Sequence, residues 1–80
     1  MSISGVYLRT RREKTESVRR RLIRMAGVEV HAATDDGRLV VTVDRPDDGE
    51  AEAALVMLQN MDGVLSSSLV YNYFDQDTEE

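Results

Sequence analysis

The sequence predicts an α+β fold: a four-stranded antiparallel sheet with two helices on one face, in the order βαββαβ. Three observations predict it. First, the chain repeats itself: Leu22, Met25, Gly27 and Val28 recur as Leu58, Met61, Gly63 and Val64, each at an offset of 36. Second, each copy joins an apolar stripe at helical spacing to an alternating, strand-like run. Third, Asp36-Gly37 sits between the copies, and this dipeptide favours the positive φ angles of a tight hairpin. Two right-handed βαβ units place both helices on the same side of the sheet, which is the ferredoxin-like arrangement.

Each element follows from local chemistry. Ile3 to Leu8 has the β-branched and aromatic content of a strand. Val18, Leu22 and Met25 then fall on one side of a helix, and Gly27 is placed to end it in the left-handed conformation. Val28 to Thr34 alternates as a second strand, with Val28, Val30 and Ala32 inward. After the turn, Leu39, Val41 and Val43 alternate inward on a return strand. Asp47 is an N-cap candidate, with Glu50 three residues on as in a capping box. Ala51, Ala54, Leu55, Leu58 and Met61 form the second stripe, and Gly63 stops that helix. Val64 to Phe74 is the last strand. Residues 1–75 are expected to form one domain, and the acidic residues 76–80 a disordered tail.

The side that the helices leave bare is apolar. Val6 and Leu8 face inward on the first strand, leaving Ile3, Gly5 and Tyr7 outward. Glu29, His31, Val40 and Thr42 also face outward. The repeat assigns Val64, Ser66, Ser68 and Val70 inward, so Leu65, Ser67, Leu69, Tyr71 and Tyr73 share the bare face. A β-bulge in the last strand is the alternative, and it would carry Leu65 and Leu69 to the covered side. Contiguous apolar patches of this kind mark interfaces. A monomer with a free face is expected, and a homodimer pairing two bare faces is the alternative.

Composition narrows the function. Eighty residues suffice for one small domain. There is no cysteine, which removes disulfide and thiolate chemistry and suits a reducing compartment. No run reaches the ~20 apolar residues of a membrane span. Arg11-Arg12 and Arg19-Arg20-Arg21 are not followed by the apolar stretch of an export signal, so a cytoplasmic protein is expected. The net charge of −5 is uneven: residues 1–45 carry +4 and residues 46–80 carry −9. His31 is the single histidine, and with only Glu29 near it on the strand it makes a thin metal site. Ser66-Ser67-Ser68 has no associated base. The five glycines form no phosphate loop. Sheet-based RNA binders stack bases on aromatics of their central strands; here Tyr7 stands alone and the basic helix lies on the opposite side. The chain therefore reads as a binding protein without catalytic residues, cofactor, metal or nucleic acid.

At "GVEVHA", "DDGRLVV" and "DGVLSSSLVYNYF" the sequence resembles the NapD family, cytoplasmic maturation chaperones of periplasmic nitrate reductase. The resemblance runs over about residues 2–75 and is strongest from Gly63 to Tyr71. It implies a partner: the twin-arginine signal peptide of the nitrate reductase catalytic subunit precursor, held until the enzyme has its cofactor and is folded. It implies signal-peptide-binding residues on the bare face, at Ile3, Tyr7, Glu29, His31, Val40, Thr42, Leu65, Leu69, Tyr71 and Tyr73. The sequence departs from the family at Ala26, Asp62 and Asn72, where proline, proline and histidine are common. A reading from another class remains open, a ferredoxin-like regulatory or dimerisation domain that uses the same face.

Overall fold

A computed structural model describes residues 2–74, apart from the side chains of Tyr73 and Phe74. The expected tail at 76–80 lies outside the described residues. The strands are β1 (Ser2–Thr10), β2 (Val28–Ala33), β3 (Arg38–Arg45) and β4 (Val64–Phe74), and the helices are α1 (Thr15–Leu22) and α2 (Asp48–Gln59). A 3-10 turn at Arg12–Lys14 leads into α1. All neighbouring strands are antiparallel, in the order β2-β3-β1-β4. This is the expected fold.

Both helices form because one stripe can be buried. In α1, Val18 and Leu22 are fully buried one turn apart. Its solvent side is tied by Glu16, whose carboxylate meets Arg19 at 2.7 Å and Arg20 at 3.3 Å. Asp47 caps α2: its Oδ1 accepts the Glu50 backbone N–H at 2.8 Å. Ala51, Ala54 and Leu58 form the buried stripe of α2. The core joins Val18, Leu22, Ala54 and Leu58 to Val6, Leu8, Val28, Leu39, Val41 and Val43 of the sheet.

Two glycines close the corners between helix and strand. Gly27 and Gly63 have φ of 76° and 97°, the left-handed region that disfavours side chains. The Asp44 N–H donates to the Gly27 carbonyl at 2.7 Å, and the Arg11 N–H donates to the Gly63 carbonyl at 2.8 Å. Each corner is thus bonded to the chain at the end of the strand beside it. The second is reinforced by Lys14 Nζ, 3.3 Å from Asp62 Oδ2. The hairpin closes where the Thr34 N–H donates to the Arg38 carbonyl at 2.9 Å. The Thr34 hydroxyl also donates to Asp36. That bond, with Arg38 nearby, holds the Asp36 carboxyl below its ordinary value.

The edge strands depart from strict alternation. On β2, Val30 opposes Val41 while Ala32 opposes Val40, so His31 is an extra residue. Ala32 therefore stands on the bare side, not inward. On β4 there are two shifts. Val64 opposes Thr10 and Ser66 opposes Arg9, leaving Leu65 as the first extra residue. Leu69 opposes Val6 and Tyr71 opposes Gly5, leaving Val70 as the second. Between the bulges the sides are exchanged: Ser66 and Ser68 join the bare face, while Ser67 and Leu69 align with inward Leu8 and Val6. The placement of Leu69 on the bare face is thus corrected. The bulge flips it, although at the sheet edge it stays 53% exposed. Val70, expected inward, lines the bare side beside Tyr71.

Leu22→Ala is expected to cost about 2–5 kcal/mol, the range for emptying a fully buried leucine site. Urea unfolding measures it, and a loss under about 1 kcal/mol would contradict the packing described. Thr34→Val should raise the Asp36 pKa toward the ordinary carboxylate value in an NMR titration; an unchanged value refutes the hydroxyl bond. Because the folded pKa is depressed, Asp36 favours folding above its unfolded value, and this is lost as pH falls through the folded one.

Candidate functional site

The face opposite the helices is organised in rows across the strands, because paired residues point to the same side of a sheet. One row runs Glu29, Thr42, Gly5, Tyr71 across all four strands. On one side of it lies the row Asp44, Ile3, Tyr73. On the other lies Ala32, Val40, Tyr7, Ser68, and beyond that Arg38, Arg9, Ser66. His31 and Val70 occupy the bulges at the two edges.

Gly5 lets this face close on itself. A methyl group at position 5 would collide with the Tyr71 ring, so the ring lies against the glycine backbone. The result is a shallow cavity of about 290 Å³, lined by Gly5, His31, Val40, Thr42, Val70 and Tyr71 among others. Its rim is apolar and open: Val40, Val70 and Tyr71 are 44%, 65% and 50% exposed. Among the described residues, its one side-chain hydrogen bond is between His31 Nε2 and Thr42 Oγ1, at 2.7 Å. Glu29 Oε1 stands 3.7 Å from the same imidazole nitrogen.

Beside this cavity, across Thr42, is a second hollow lined by Ile3, Gly27, Val28, Glu29, Thr42 and Asp44. Its two carboxylates give that end of the face a negative sign. Among the described residues, neither forms an ion pair with a Lys or Arg. The opposite end carries Arg9 and Arg38, the latter 3.4 Å from Asp36. No group of three or more metal-ligating side chains occurs among the described residues. Nor does any described helix have the length and hydropathy to cross a membrane. The face offers apolar contact with a charge gradient, which suits capture of an amphipathic chain.

The structure brings together seven of the residues expected here: Ile3, Tyr7, Glu29, His31, Val40, Thr42 and Tyr71. Tyr73 pairs with Ile3 through its backbone, and its side chain is outside the described set. Leu65 is 64% exposed at its bulge on the β4 edge. Asp44, Val70 and the close fit at Gly5 were not expected. Asp44 was legible, since Val40, Thr42 and Asp44 share one strand parity. Val70 was not, because nothing in the local sequence announces its bulge.

A family model described as "NapD protein" matches residues 1–76. Among solved structures, the solution structure of the E. coli Tat proofreading chaperone protein NapD is similar, with a TM-score of 0.81 and 25% sequence identity. The match covers 98% of this chain and 83% of that one. Comparison with curated proteins gives no match.

The stacking at position 5 is testable by NMR. The Gly5 Hα resonances should lie upfield, under the aromatic ring, and Tyr71→Leu should abolish the shift. Gly5→Ala should displace the ring and cost about 1–3 kcal/mol, as overpacking does. Gly5 Hα shifts at ordinary values would refute the stack.

Proposed function

This chain belongs to the NapD family, and on that premise we propose that it is a chaperone for a twin-arginine signal peptide. The bound peptide is that of the periplasmic nitrate reductase catalytic subunit precursor. Binding takes place in the cytoplasm and delays export until the cofactor is inserted and the enzyme is folded. The chain acts by binding, not by catalysis.

The observation that carries this reading is the exposed apolar face around Tyr71 and Val40, with carboxylates at one end. A signal peptide joins a basic head to an apolar body of roughly 7–15 residues. The apolar body has Tyr7, Val40, Val70 and Tyr71 to cover. The arginines have Glu29 within reach, with His31 and Thr42 as hydrogen-bonding neighbours. Burying two or three large apolar side chains contributes about 1.5–3 kcal/mol each. These anchors are one part of the gross gain; a micromolar complex needs roughly 8 kcal/mol net of the freedom lost on association, so the rest of the apolar contact and the charge pairing contribute too. Ile3 extends the surface at one margin, and Leu65 extends it along the β4 edge.

Calorimetry with the signal peptide tests the reading. Tyr71→Ala and Val40→Asp should each weaken binding by about tenfold or more, the effect of losing one buried anchor. Leu69→Asp, on the other side of the sheet, should change affinity far less. A peptide with both arginines replaced by glutamine should bind more weakly, and the difference should narrow in high salt. Unchanged affinity for both Tyr71→Ala and Val40→Asp would overturn the docking face.

A further inference from the structure

The bare face is electrically polar along its strands, and this bears on the direction of its occupant. Asp44 and Glu29 stand in the two rows at one end, and Arg9 and Arg38 oppose each other in the row at the far end. Between them lies the uncharged row of Ala32, Val40, Tyr7 and Ser68, with Tyr71 at the uncharged end of the Glu29 row. Asp44 and Arg38 are six residues apart on one strand, a span of roughly 20 Å at ~3.3 Å per residue. A helix of roughly 7–15 apolar residues covers about 10–22 Å, so one apolar body fits the band between the charged ends.

Resting on the docking reading above, we infer that the signal peptide binds in one direction, its arginines on Asp44 and Glu29 and its apolar body running with β1 toward Arg9. Both ends of the face select this direction. At the acidic end, guanidinium groups meet two carboxylates that have no Lys or Arg partner among the described residues. At the other end, a reversed peptide would bring its arginines against Arg9, beside an Arg38 already paired with Asp36. Like charges at close approach disfavour that pose. Asp44 is thus assigned as a specificity residue. It reads the basic head and does not serve as an apolar anchor. Arg9 acts by exclusion.

Paramagnetic labels on the peptide test the direction. A nitroxide at the basic head should broaden the amides of Ile3, Glu29 and Asp44. A nitroxide after the apolar body should broaden those of Arg9, Arg38 and Ser66. The reverse pattern, or equal broadening of both ends by both labels, overturns the single direction while leaving the docking face intact. Broadening elsewhere on the molecule overturns the docking face itself. A double-mutant cycle gives an independent readout. Asp44→Asn and replacement of the peptide arginines by glutamine should each weaken binding, Asp44→Asn by about two- to fivefold as for an exposed ion pair. The two effects should not add. Strict additivity would remove Asp44 from the contact.

Discussion

The corners at Gly27 and Gly63 are the constraint on which the sheet depends. Each helix must reverse within a few residues and deliver an edge strand against a central one. The left-handed turn allows this, and it turns the glycine carbonyl toward the N–H of Asp44 or Arg11. There is no room for a side chain at either place. At Gly27 it would strike the Asp44 carbonyl, and at Gly63 the Lys14 side chain, 2.7 Å away. Because the two corners are alike, β2 and β4 flank a β3–β1 centre and both helices fall on the same side. The bare face is what remains when that geometry is satisfied twice.

Most of this fold is legible in the sequence because its signals are local and repeated. Val18 and Leu22 in α1, and Ala51, Ala54 and Leu58 in α2, mark their buried stripes by spacing alone. Asp47 declares the start of α2, and Asp36-Gly37 declares the hairpin. The candidate site is less legible. Alternation fixes a side chain's face only while the register is unbroken, and both edge strands break it. Reading β4 by parity is right at Val64 and at Tyr71 but wrong from Ser66 to Val70. The first bulge reverses the count and the second restores it. Neither has a sequence marker, since Leu65 and Val70 are ordinary strand residues. They are set by pairing with β1, which is a tertiary matter.

The site itself is built from absences as much as from side chains. Gly5 supplies a missing Cβ, into which the Tyr71 ring settles. Thr42 joins the apolar cavity to the acidic hollow and holds His31 by one hydrogen bond. The charged rows at the two ends are separated by an uncharged band, so the face combines affinity from apolar area with discrimination from charge. These two contributions have different ranges. Contact area acts only after docking, while charge acts over about 10 Å at moderate salt.

The bulges also bear on how molecules of this protein behave toward one another. An eleven-residue outer strand with exposed Leu65, Leu69 and Val70 would, if flat and regular, present a continuous ladder of unpaired amides to any neighbour. Such borders recruit further strands and seed fibrils. Irregular spacing at Leu65 and Val70, and at His31 on the opposite border, interrupts that ladder on both flanks. The same kinks that defeat simple alternation thus protect against runaway stacking between copies, without masking the oily surface proposed to receive a visiting chain.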